Sequence, residues 1–168
     1  MKKNSVILFF VLLIAVVWQG CGIYSFTGAS YGSAKTVSID YFQNRSTYVN
    51  PTLSQKITED LKDRFMSQTP LNLIKTGGDL SFEGTITGYK ISAVDIKSTG
   101  QAASNRLTIT IKVSFTNTTE PENDFEKSYS RYADYDVKQP FATVESALVD
   151  EIVTLLIDDI FNDSVVNW

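Results

Sequence analysis

Any chemistry in this chain of 168 residues has to come from carboxylates, hydroxyls, cations and one thiol, because it contains no histidine and a single cysteine, Cys21. The missing imidazole removes the usual general base and the commonest zinc ligand. One cysteine cannot close an internal disulfide. No glycine-rich phosphate loop is present, since Gly77-Gly78 stands alone between two strand-like runs. Glu83, Glu126, Asp134 and Asp136 could in principle supply an acid/base pair for sugar hydrolysis. Their spacing singles out no pair, and on strand faces or in turns they read as solvated charges. The sequence therefore predicts a protein that is not an enzyme and carries neither cofactor nor metal.

The thiol has a different chemistry open to it. Lys2 and Lys3 precede an apolar run from Val6 to Val17, and Gly20 stands just before Cys21, the layout of a secretory signal peptide. The run is short for a membrane span. A cysteine at such a cleavage point resembles the bacterial lipobox, although Trp18 and Gln19 replace its usual residues, and it implies an acylated N-terminal cysteine carrying palmitate-type chains. Stable anchoring needs more than one such chain. The expected organisation is a signal peptide over 1–20, a lipidated N-terminus and flexible tether over 21–34, and a single α+β domain over 35–168. Gly22 stands where aspartate retains some Gram-negative lipoproteins at the inner membrane, so the periplasmic side of the outer membrane is the expected place. Loss of Lys2 and Lys3 takes the formal charge from −4 to −6, which argues against a nucleic-acid partner.

The elements that must position everything else follow from periodicity. Val37, Ile39 and Tyr41 alternate with polar residues as a half-buried strand does. Asn50-Pro51-Thr52 opens a helix, with Asn50 or Thr52 as cap, and Leu53, Ile57, Leu61 and Phe65 form its apolar stripe up to Thr69 and Pro70. Leu71–Ile74 is a short strand ended by a turn at Gly77-Gly78. In the strand from Leu80 the apolar parity shifts at Gly88, which predicts a bulge there. The clearest strand, Arg106–Asn117, turns Leu107, Ile109, Ile111, Val113 and Phe115 inward and Arg106, Thr108, Thr110 and Lys112 outward. Phe125–Val137 has muddled parity, because Phe125 and Tyr129 share a face with Lys127 and Arg131, so it is expected at an edge or bulged. A long closing helix from about Thr143 turns Val144, Leu148, Ile152, Leu155, Leu156 and Ile160 inward. Together these give an α+β fold, a mostly antiparallel sheet of four to five strands with two helices packed on one face.

Read in order, several stretches resemble the LptE lipoproteins of lipopolysaccharide transport in Gram-negative bacteria distant from the enteric ones. They are Gly20-Cys21-Gly22-Ile23-Tyr24-Ser25-Phe26, Asn50-Pro51-Thr52-Leu53-Ser54-Gln55, Gly77-Gly78-Asp79-Leu80 with Phe82-Glu83-Gly84, Asn105-Arg106-Leu107-Thr108-Ile109-Thr110, Ser130-Arg131-Tyr132-Ala133-Asp134-Tyr135, and Ile160-Phe161-Asn162 with the terminal Asn167-Trp168. The resemblance implies an outer-membrane lipoprotein that plugs the LptD barrel, helps it assemble and assists passage of lipopolysaccharide. On that footing the helix-free sheet face is expected to meet phosphorylated lipid through Arg106 and Lys112, roughly 20 Å apart along one strand, with Arg131 joining from the next. The bland alternative for these cations is pairing with Glu83 or Glu126 across strands. A second functional reading is a periplasmic lipoprotein that binds a soluble ligand or peptide, with Tyr129, Tyr132 and Tyr135 as its recognition surface.

Overall fold

The computed structural model describes residues 32–48, 50–96 and 102–165. Cys21, the expected lipidation site, and the expected signal peptide over 1–20 lie outside the described residues. Among the described residues are six strands and two long helices: β1 Thr36–Ile39, β2 Gln43–Asn44, α1 Leu53–Gln68, β3 Asn72–Ile74, β4 Leu80–Ile96, β5 Ala102–Asn117, a 3-10 turn at Pro121–Asn123, β6 Phe125–Asp136 and α2 Phe141–Val165. The sheet runs β3-β1-β4-β5-β6, with β2 continuing alongside β4 beyond β1. This is an α+β fold, with one strand more than the periodicity counted. The extra strand, β2, is too short to alternate visibly.

The sheet is mixed. β4–β5–β6 is an antiparallel meander, whereas β1 lies parallel to both β3 and β4. Parallel neighbours need a crossover, and α1 supplies it between β1 and β3. Asn50 caps α1, its Oδ1 accepting from the N–H groups of Thr52 at 3.0 Å and Leu53 at 3.1 Å. At the other end the Thr69 hydroxyl donates to the carbonyl of Phe65 before Pro70 prevents continuation.

Gly77-Gly78 does not close a hairpin. The chain from β3 to β4 passes back over β1, and there the N–H of Gly78 donates to Ser38 Oγ at 3.1 Å. A Cβ at Gly78 would collide with the β1 backbone, and Gly77 takes a φ of 70°, so both glycines serve this close crossing. Asp79 then clamps the start of β1, its Oδ2 accepting from the N–H of Lys35 at 2.8 Å and of Thr36 at 3.0 Å. Those backbone donors, with the Thr36 hydroxyl, hold its carboxyl below the usual carboxylate range.

Both helices cover one face. Phenylalanines run through that layer from Phe161 on α2 to Phe65 on α1, Phe82 on β4, Phe115 on β5 and Phe125 on β6, with successive ring centroids 5.1, 5.0, 4.8 and 5.1 Å apart. Gly84 interrupts the large inward residues of β4 because the buried ring of Phe42 occupies the space a Cβ would need. The bulge near Gly88 is present: Ile86 pairs with Ile111 and Gly88 with Thr110, leaving Thr87 as the extra residue. On α2 the stripe is Leu148, Val149, Ile152, Val153, Leu156, Ile157, Ile160 and Phe161. Leu155 departs from the expectation and is 39% exposed, since the stripe passes through its neighbours at three- and four-residue spacing.

Candidate functional site

The face without helices is built by the outward residues of β4, β5 and β6, and the register fixes which of them share a row. Thr85, Lys112 and Ser128 form one row, Gly88, Thr110 and Ser130 the next, then Lys90, Thr108 and Tyr132, then Ser92, Arg106 and Asp134. Four-residue separation on β5 puts Lys112 and Thr108 roughly 13 Å apart at about 3.3 Å per residue.

Each expected cation on this face has a carboxylate partner. Arg106 makes a two-pronged pair with Asp134, Nε to Oδ1 at 2.7 Å and Nη2 to Oδ2 at 2.8 Å. That hydrogen-bonded fork holds the Asp134 carboxyl below its ordinary range. The guanidinium also stacks on Tyr132, with its carbon 3.6 Å from the ring centroid. Lys112 pairs with Glu126 at 2.6 Å, both side chains being largely exposed. Beside Lys112 lies a shallow groove of about 330 Å3, with Asp40, Arg45, Glu83, Lys112 and Glu126 in its lining. Among the described residues no set of carboxylates converges as a metal site would.

Arg131 does not join Arg106 and Lys112. It sits opposite Ile109 on β5, so it points to the covered face. There its Nε and Nη2 donate to Asp159 of α2, both at 2.6 Å, and this pairing raises its pKa. Lys127 does the same toward Asp163 at 2.5 Å. These contacts resolve the muddled parity of β6: the strand pairs with β5 in unbroken register along the sheet edge, and its inward cations meet carboxylates on α2. The tyrosines divide likewise. Tyr129 and Tyr135 are buried under α2, whereas Tyr132 stands on the open face, 51% exposed.

A second polar cluster lies where both helices begin. Glu145 Oε1 accepts from the Tyr89 hydroxyl at 2.6 Å and from Asn50 Nδ2 at 2.9 Å, while Tyr48 stacks on Tyr89 with centroids 4.9 Å apart. Burial first, and then the hydrogen bond to Glu145, push the Tyr89 pKa upward. The cluster draws on three separated parts of the chain, around Tyr48 and Asn50, at Tyr89 and at Glu145, and no spacing in the sequence links them. Lys90 and Arg45 are further open-face cations that the sequence pattern does not single out. The parity shift at Gly88 carried the signal for Lys90, whereas Arg45 sits just beyond a strand too short to show one.

A family model described as LptE, lipopolysaccharide-assembly, matches residues 34–164. No curated protein sequence matches the chain. Among solved structures, lipoprotein B from Nitrosomonas europaea is 12% identical, covers 84% of this chain and 88% of its own, and superposes with a TM-score of 0.54. Rare lipoprotein B from Shewanella oneidensis is 14% identical over 74% of this chain and 91% of its own, with a TM-score of 0.51. Protein XCC0632 from Xanthomonas campestris is 8% identical over 79% and 84%, also at 0.51. At such identities the structural likeness speaks for the fold.

Proposed function

Because the chain belongs to the LptE lipopolysaccharide-assembly family, we propose that it is an outer-membrane lipoprotein, acylated at Cys21, that plugs an LptD barrel, helps it assemble and assists passage of lipopolysaccharide to the cell surface. The family match over residues 34–164 is the observation that carries this reading. The geometry adds support. A plug has to enter a lumen with one end while its anchor stays in the membrane leaflet at the other. The chain enters the fold where Asp79 clamps Lys35 and Thr36, beside the start of β4 and the end of β5. β4 ends and β5 begins at the opposite end, and β4 alone spans roughly 50 Å at about 3.3 Å per residue. A wide barrel has a polar interior, and the open face presents threonine, serine, lysine, arginine and carboxylates to it.

The same reading assigns the contact with phosphorylated lipid to Arg106 and Lys112, each exchanging a carboxylate partner for phosphate oxygens. Arg106 is the stronger of the two, since its planar fork matches paired oxygens and Lys112 acts as a point charge. Arg131 is left to α2.

Purification from membranes tests the plug. The wild type is expected to emerge in near one-to-one complex with a large barrel, and its depletion to lower barrel assembly and admit large antibiotics. A protein that purifies alone, with barrel levels unchanged on depletion, would return the periplasmic binding module to first place. Cys21→Ala should abolish incorporation of labelled fatty acid, and persistent labelling would refute the anchor. For the contact, Arg106→Gln with Lys112→Gln should lower lipopolysaccharide affinity and flatten its salt dependence, while Arg131→Gln should leave both as they are.

A further inference from the structure

The open face carries one feature that a purely electrostatic contact does not need. Tyr132 is half exposed although the Arg106 guanidinium is stacked on its ring. Asp134 holds that guanidinium over the ring through two hydrogen bonds, so the Tyr132 ring stands as a wall beside the Arg106 contact. The next row is low: Gly88 has no side chain, and Thr110 and Ser130 are small hydroxyl residues joined by a hydrogen bond at 2.9 Å. A Cβ at Gly88 would press against the Thr110 side chain, and glycine keeps the floor low there. Lys90 and Lys112 stand at the two sides of this floor, in the rows before and after it.

An aromatic wall, a hydroxyl floor and flanking cations are the chemistry that binds a sugar ring bearing an anionic group. The negative face of an aromatic ring attracts the weakly positive C–H groups of a sugar. Hydroxyls on the floor can donate to and accept from ring hydroxyls, and the cations meet the charge. We propose that the strip Tyr132–Thr110–Ser130, with Lys90 beside it, is a subsite for an acidic sugar of the glycolipid's core oligosaccharide, next to the lipid phosphates met by Arg106 and Lys112. This rests on the lipopolysaccharide reading above and names the part of the molecule held there.

The test uses the acylated protein in detergent and isothermal titration with three probes: intact lipopolysaccharide, lipid A, and the phosphorylated core oligosaccharide released by mild acid. Tyr132→Ala is expected to weaken oligosaccharide and intact lipopolysaccharide at least tenfold and lipid A far less. Tyr132→Phe should retain wild-type affinities, and circular dichroism should show both variants folded. Oligosaccharide affinity unchanged in Tyr132→Ala, or lipid A weakened equally, overturns the subsite. A wild type that binds lipid A but not the oligosaccharide also overturns it and leaves the proposed function standing. A wild type that binds none of the probes overturns both.

Discussion

The two faces of this sheet use their cations in opposite ways. On the open face the partners lie on the neighbouring strand, Asp134 for Arg106 and Glu126 for Lys112, where backbone hydrogen bonds already hold the strands together. On the covered face the partners belong to another element, Asp159 for Arg131 and Asp163 for Lys127, both on α2. The helix continues the pattern on its other flank, with Asp150 meeting Lys56 at 3.0 Å and Asp158 meeting Arg64 at 2.6 Å on α1. α2 carries six carboxylates and no basic residue. Carboxylates near its C-terminus oppose the helix dipole, and cations on α1 and β6 compensate them. Covered-face pairs therefore join elements that share no backbone hydrogen-bond ladder. Open-face pairs join strands that would stay joined without them, which leaves their cations available to exchange partners.

The sharpest way to break this comparison is to truncate one aromatic on each side. Phe65 is fully buried between Phe82 and Phe161, and Phe65→Ala should cost about 3–5 kcal/mol in denaturant unfolding. Tyr132→Ala on the open face should stay within about 0.5 kcal/mol. Comparable losses at the two positions would mean that the open face is as structural as the covered one.

A smaller effect separates Leu155 from Leu156, which the periodicity placed together. Leu156→Ala removes a fully buried side chain and should cost about 2–5 kcal/mol, whereas Leu155→Ala should cost well under 1 kcal/mol. Thermal unfolding of the two variants decides it.

pH should act on the faces from opposite ends. Burial and then the Asp163 carboxylate push the Tyr129 pKa up, as burial and Glu145 do for Tyr89. A raised pKa means that stability present below about pH 10, the unfolded tyrosine value, is lost as pH rises further. Asp134 on the open face has a lowered pKa, so its contribution is present above about pH 4 and is lost as pH falls through the folded value. Tyr129→Phe should flatten the alkaline limb of stability against pH and leave the acid limb, and Asp134→Asn should do the reverse. Identical profiles for both variants would contradict the assignment.

The smallest effect is in the ion pairs themselves. A double-mutant cycle for Arg131 and Asp159, whose carboxylate is only 26% exposed, should give the larger coupling. The Lys112–Glu126 cycle should give about 0.2–0.5 kcal/mol, because both groups are open to water.

Much of this molecule was legible in the chain. Strict alternation on β5, the four-residue stripe of α1 and the parity shift at Gly88 are local periodicities, and each follows from which side of one element must meet the core. The same alternation put Arg106 and Lys112 outward correctly. The sequence by itself thus determined two helices, the long strands, one polar sheet face and the absence of histidine chemistry. It could not place Arg131, because β6 shows an inward arginine whose reason lies on α2, 28 residues along the chain. It could not show that Gly77-Gly78 crosses β1 instead of turning back, since either path needs glycine and the difference is which strand lies beneath. Nor could it show the stacking of Arg106 on Tyr132, which depends on the register of β5 against β6. Register, crossing and pairing between elements are set by the packing of distant segments against each other, and that is why only the tertiary structure decided them.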